Sequence, residues 1–233
     1  MTALPARIAE AFERSLTSRA ASFGLLCCVL PMGCSTLSQR APDFVSVVRA
    51  ASPAVVGVAD DGGVIGSGFR IEPAKYLVTA AHVVATPHGA LRVRWRGKDY
   101  PVRLLGQDTD SDVALLQLTE PAPIPALRLA PAEWEATPGA WILVLGCPFG
   151  GGVTATAGIL SAAPGAVLEP KVLQTRIQLN AAVNAGNSGG PVLDQRGQVI
   201  GVANATIPGG FGLGFAIPAG AVSALLTKAG RER

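Results

Sequence analysis

From residue 44 to residue 218 the chain is written in short apolar runs, most of them closed by Gly, Pro or Asp. "PAVVGVAD", "GVIGSGFRI", "KYLVTAA", "LRVRWRG" and "VALLQL" come first; "WILVLG", "VTATAGILSAA", "VLQTRIQL", "GPVLD", "QVIGVAN" and "LGFAIP" follow. Enrichment in β-branched residues and partial period-2 alternation predict strands in all of them. Between the two groups lies a proline-rich stretch over 121–138, which predicts a linker joining two halves. Helical spacing is confined to the two ends. "DFVSVVRAA" predicts one helix, and "AGAVSALLTKAG" predicts another that puts Val222, Leu225 and Leu226 on one face. Many strands spaced about 8 to 12 residues apart point to a sandwich or a barrel.

Composition narrows the function classes. Charged residues are 15% of the 233, against roughly 25% in an average globular protein. Hydrophobic residues are 49%, enough to bury a core and to exclude a disordered chain. The net charge of +3 and the absence of a Lys/Arg run argue against nucleic acid. Arg92, Arg94 and Arg96 in "RVRWR" alternate as one face of a strand would.

The first 34 residues differ from the rest. Arg7, Arg14 and Arg19 precede the apolar "AASFGLLCCVLPMGC", the order of a secretory signal. The apolar run falls short of the roughly 20 residues of a membrane span. "LPMGCSTL" resembles a bacterial lipoprotein signal, which makes Cys34 the first mature residue and the lipidated one. Pro31 stands where such signals usually carry leucine, and Glu10 and Glu13 interrupt the basic region. Cys27 and Cys28 are apolar filler of the signal. Cleavage before Cys34 leaves Cys147 as the one free thiol and no disulfide framework. The expected plan is a signal over 1–34, a polar tether over 35–43, a first domain over 44–120, the linker, and a second domain over 139–233.

One hydroxyl stands among glycines in "NAGNSGGPV", residues 184–192. Either a tight turn or a nucleophile beside bare backbone N–H groups fits that pattern. It also matches the nucleophile elbow of α/β-hydrolases, but those place the histidine after the serine. Here the two histidines, His82 and His88, both precede Ser188. His82 ends the strand-like "LVTAAHVV" and is placed to take and return a hydroxyl proton. His88, in "ATPHGA", reads as a solvated loop residue. Of Asp108, Asp110 and Asp112 in "DTDSDVALLQL", Asp112 precedes the apolar strand and is the one to orient the imidazole. Asp60 or Asp61 could do so in a subtilisin-type order, which needs a parallel α/β sheet that this pattern does not predict. Two histidines and scattered acids offer no ligand cluster, so neither metal nor cofactor is expected.

"TAAH", "DVALL" and "GNSGGP", in that order, resemble the trypsin-like serine proteases of the bacterial HtrA (Deg) kind. The resemblance runs over about residues 45–225 and includes "GSGFRI", "LGCPFGGGVTATAGILSA" and "GFAIP". It implies an all-β fold of two antiparallel six-stranded β-barrels with a short C-terminal helix. His82 and Asp112 would come from the first barrel and Ser188 from the second. The backbone N–H groups of Gly186 and Ser188 would form the oxyanion hole. Asn180 and Ala185 replace an aspartate and a proline of the family pattern, and both lie outside the triad. Asn187 stands where vertebrate digestive enzymes have an aspartate that pairs with a new N-terminus, so activation by clipping is not implied.

By the same resemblance Ala203, Ala205 and Ile217 would line the specificity pocket. No acid lies there to receive Arg or Lys, so small aliphatic side chains are the expected preference. The resemblance further implies an exported endopeptidase of the periplasm or envelope, acting on unfolded or damaged proteins through an acyl-enzyme at Ser188. A silent peptide-binding module and an esterase are the alternatives. Family members usually carry PDZ domains; this sequence runs 15 residues past "GFAIP". PDZ-based sensing and cage assembly are therefore not carried over, and monomer and trimer both stay open.

Overall fold

The computed structural model describes residues 42–72, 76–148, 152–166, 173–206 and 212–231. The expected signal, Cys34 and most of the tether lie outside them. A short helix α1 (Phe44–Ala51) opens the fold, and Asp43 caps it by accepting from the Ser46 N–H at 3.1 Å. A 3-10 turn over Ser52–Ala54 leads into the first barrel. Its strands are β1 (Val55–Asp60), β2 (Gly63–Ile71), β3 (Tyr76–Ala80), β4 (Arg92–Trp95), β5 (Lys98–Asp108) and β6 (Val113–Leu118). They close antiparallel in the order β1-β2-β3-β6-β5-β4.

The second barrel repeats the plan with β7 (Trp141–Gly146), β8 (Thr154–Ala162), β9 (Ile177–Asn180), β10 (Pro191–Leu193), β11 (Val199–Thr206) and β12 (Gly214–Pro218). It closes in the order β10-β11-β12-β9-β8-β7. Helix α2 (Ala219–Arg231) follows and returns to pack on β5 and β6 of the first barrel. It buries Val222, Leu225 and Ala229, with Leu226 half-buried beside them. The all-β, two-barrel architecture with its terminal helix is therefore the one the family motifs imply.

Two local differences from the strand pattern have clear causes. Arg96 does not extend β4: with Gly97 it makes a two-residue turn, both residues at positive φ (49° and 76°), so β4 turns directly into β5. Its guanidinium sits 4.7 Å from the centroid of the Trp95 ring. Of the described residues in "VLQTRIQL", 173–176 form a turn and strand begins at Ile177. The Arg176 N–H bonds back to the Leu173 carbonyl at 3.0 Å, and this turn uses the backbone group a strand would need.

Alternation explains how the barrels share a core. On β7, Leu143 and Leu145 join the large cluster that spans the first barrel, α1 and α2, while Ile142 and Val144 fill the second barrel's own interior. Fully buried side chains such as Phe69 and Phe215 contribute about 1.5–3 kcal/mol each. The linker is bonded to both halves. Arg70 of β2 donates to the carbonyls of Ala122 and Ile124, each at 2.8 Å, and the Ala130 N–H reaches the Val199 carbonyl of β11 at 2.8 Å.

Candidate active site

His82 lies on a 3-10 turn over Ala81–Val84, directly after β3, and Asp112 lies directly before β6. Because β3 and β6 pair with Ala80 opposite Val113, the two turns emerge side by side at one end of the barrel. The imidazole Nδ1 is 2.7 Å from Asp112 Oδ2, and the His82 backbone N–H donates to Asp112 Oδ1 at 2.8 Å. A carboxylate only accepts, so Nδ1 carries the proton and Nε2 is left as the acceptor of the neutral ring. The Asp112 carbonyl accepts from the Ala81 N–H at 2.9 Å. Asp112 adopts φ 61°, a left-handed conformation that Asp tolerates better than most residues. Burial alone would raise its carboxyl pKa. The bonds from the His82 ring and backbone, with the nearby Arg176 charge, outweigh that, and the carboxyl sits below its ordinary value.

Ser188 comes from the segment between β9 and β10, in the second barrel. Its hydroxyl donates to the Asn204 carbonyl at 2.9 Å; among the described residues it makes no bond to His82. Asn204 is the extra residue of a bulge in β11, where Ala203 faces Ala216 and Ala205 faces Phe215. The bulge turns the Asn204 side chain to the first barrel, where Nδ2 donates to Asp112 Oδ2. Asn204 thus joins the serine to the carboxylate that holds the imidazole. Nothing in the alternation of "QVIGVAN" marks it out; the only trace is a polar residue inside an apolar run.

The glycines around Ser188 are required by close approach as well as by turning. Gly189 has φ 86°, and a Cβ there would collide with the Ser67 carbonyl and Thr79 Oγ1 of the first barrel. A Cβ on Gly190 would collide with the Leu145 carbonyl. Gly186, at φ 91°, leaves its own N–H and that of Ser188 without an acceptor among the described residues. Those two donors were the pair expected at the oxyanion hole.

The other expected site residues separate. Ala203 and Ala216 are directly paired and share a face inside the second barrel, whereas Ile217 pairs with Val202 and faces the large core. Ala203 and Ile217 therefore point to opposite sides of the β11–β12 ribbon and cannot line one pocket. Ile217 belongs to the large core and Ala203 and Ala216 to the second barrel's own core, and none of the three has exposed surface. Ala205 lies on β11, opposite Phe215. His88 is exposed; its N–H donates to Asp60 Oδ2 at 2.7 Å. Asp61 pairs with Arg92 at 2.8 Å, so neither Asp60 nor Asp61 serves His82. Cys147 is a buried free thiol, and burial pushes its pKa up.

Arg176 was not anticipated. It is 3% exposed, its Nη1 donates to Thr175 Oγ1 at 3.0 Å, and its Nε has no partner among the described residues. Burial lowers its pKa, while the charges of Asp112 and Asp108 act in the other direction.

Two closed barrels with a His–Asp pair on one and a glycine-bound serine on the other define a class. A profile of the trypsin-like peptidase domain matches residues 66–202, more than half of the chain. The chain belongs to the trypsin-like peptidase family.

Within that family its relatives are of the HtrA kind. The periplasmic pH-dependent serine endoprotease DegQ of Escherichia coli (strain K12) is 37% identical over 158 residues, covering 66% of this chain and 34% of DegQ. A probable periplasmic serine endoprotease, DegP-like, of Ectopseudomonas mendocina is 34% identical over 243 residues, covering 83% of this chain and 51% of its own. Among solved structures, the serine endoprotease from Yersinia pestis superposes with a TM-score of 0.70 at 27% identity, covering 83% of this chain and 68% of that one. The HtrA-type protease AlgW with a decapeptide gives a TM-score of 0.69 at 29% identity, covering 80% and 67%. The chain spans about a third to a half of the length of the curated relatives it matches.

Proposed function

We propose that this protein is a serine endopeptidase that cuts peptide bonds through an acyl-enzyme at Ser188. The observation that carries the reading is the two-point hold of Asp112 on His82, at 2.7 and 2.8 Å, which leaves Nε2 free to accept a proton. In this mechanism the Ser188 hydroxyl rotates away from the Asn204 carbonyl toward Nε2. Its oxygen attacks the scissile carbonyl as His82 takes the proton. The negative oxygen of the tetrahedral intermediate is received by the N–H groups of Gly186 and Ser188, an interaction worth about 2.7–4 kcal/mol per donor in barrier height. His82 returns the proton to the leaving amine, and a water, activated the same way, releases the acid.

Unfolded or damaged envelope proteins are the proposed substrates, and small aliphatic residues the preferred ones before the cut. Support comes from β11 and β12, which carry no acid to receive Arg or Lys, and from a relative whose structure holds a decapeptide. Export to the periplasm, with residues 1–34 as signal and Cys34 as lipid-bearing residue, is proposed from the N-terminal pattern and from relatives called periplasmic. Palmitate labelling that persists in Cys34→Ala would remove the lipid assignment.

The decisive experiment treats the chain and its Ser188→Ala variant with a fluorophosphonate probe and with unfolded casein. Labelling and digestion by the first and neither by the second are expected. Absence of both in both proteins would favour the second reading, a cleft that holds peptides uncut. The engagement of Ser188 by Asn204 is the observation on that side.

A further inference from the structure

Ser67 is a polar residue with no exposed surface, in the middle of β2, between Gly66 and Gly68. It belongs to the "GSGFRI" motif, yet it is in neither the triad nor the oxyanion hole. One edge of β2 at this point pairs with Gly57 of β1. The other edge is taken by the nucleophile segment of the second barrel: the Ser67 N–H donates to the Ser188 carbonyl at 2.8 Å. The Ser67 hydroxyl donates to the Gly186 carbonyl at 2.5 Å and accepts from the Cys147 N–H at 2.7 Å. Its own carbonyl accepts from Thr79 Oγ1 at 2.7 Å.

We propose that Ser67 is a positioning residue that holds the nucleophile segment in its oxyanion-binding shape from the opposite barrel. The inference rests on the endopeptidase reading above. Gly186 at φ 91° has little steric reason to keep one orientation of the peptide that follows it. Ser67 supplies that reason at two points, the carbonyl of Gly186 and the carbonyl of Ser188. The Ser188 N–H lies on the peptide between the two held ones and the Gly186 N–H on the peptide just before them, so fixing both carbonyls restricts the backbone rotations that aim these donors. The hydroxyl's remaining bond, from Cys147, ties the end of β7 to the same anchor. Removing the hydroxyl frees the Gly186 peptide to turn and leaves a buried N–H without a partner.

The test compares Ser67→Ala with Thr79→Val, which removes a buried bond to the same residue but spares its hydroxyl. Both are read in the full chain by kcat and KM on a chromogenic peptide, by inhibition with a peptidyl boronate that mimics the tetrahedral intermediate, and by the urea midpoint. Ser67→Ala should lower kcat and boronate affinity together by about 100-fold with KM nearly unchanged, whereas Thr79→Val should keep near-wild-type kcat despite a lowered midpoint. Should Ser67→Ala not accumulate as folded protein, Ser67→Cys, close in size but a weak donor, is expected to show the same split. Wild-type kcat in the Ser67 variants, or a loss of kcat in both positions that tracks the midpoint, would overturn the proposal. A wild-type chain that neither labels nor cleaves would overturn the activity, and this inference with it; an active wild type separates the two failures.

Discussion

The two barrels contribute to the site in different ways. The first presents His82 and Asp112 on turns that leave neighbouring strands, and the pair is bonded within that barrel at 2.7 and 2.8 Å. The second presents Ser188 on a segment between β9 and β10 outside any strand, held by its own barrel through the Gly189 N–H to the Ala203 carbonyl at 2.7 Å and by the first barrel as well. Ser67 bonds its carbonyls, and Gly189 packs against Ser67 and Thr79. The base and its orienting acid are thus preformed, while the nucleophile depends on the interface. A site divided this way can lose activity through a mutation that touches no reacting atom.

The sharpest break in that comparison is chemical. Ser188→Ala should cost on the order of 10⁶-fold in kcat with the fold intact, read as peptide hydrolysis against the urea midpoint. Next is the preformed pair: Asp112→Asn, whose side chain also tolerates the left-handed backbone, should cost about 10⁴-fold in kcat. It should leave the second barrel unaltered by near-UV spectra.

On the interface side, Gly189→Ala should lower stability by about 1–3 kcal/mol or more, since it strains a positive φ and forces the barrels apart. A midpoint unchanged from wild type would contradict the close approach. Asn204→Ala, which removes the Nδ2 bond to Asp112 and keeps the backbone carbonyl that receives Ser188, should change kcat by about 10-fold, the scale of one bond to a charged group. Arg176→Met should be the mildest change, raising stability by about 1 kcal/mol because it removes a buried cation whose Nε has no partner among the described residues.

The pH dependence of stability has a definite sign. The Asp112 carboxyl is held below its ordinary value in the fold, by His82 and Arg176 against the effect of burial. Its contribution is complete above the unfolded-state value of about 3.9 and is lost as pH falls through the lower folded value. Stability measured from pH 6 downward should therefore fall less steeply in Asp112→Asn than in wild type.

Some of this was readable along the chain. Alternation and turn residues mark the strands, and the order His82, Asp112, Ser188 excludes the α/β-hydrolase arrangement. The faces of β11 and β12 were not readable. Placing Ala203 and Ile217 in one pocket requires knowing their register, and the register puts them on opposite sides. Asn204 depends on a bulge, a single extra residue that shifts the alternation by one and leaves no compositional mark.

Local physics is what the sequence alone determined: which segments are extended, where they turn, and which side chains carry chemistry. These follow from periodicity and from the φ preferences of neighbouring residues, so a short window contains them. The tertiary structure alone decided which groups hold the serine segment. The Ser67 hydroxyl meets the Gly186 carbonyl across 119 residues of chain, and Asn204 meets Asp112 across 92. Partners that far apart are selected by barrel closure and docking, and no pattern within either segment records the other.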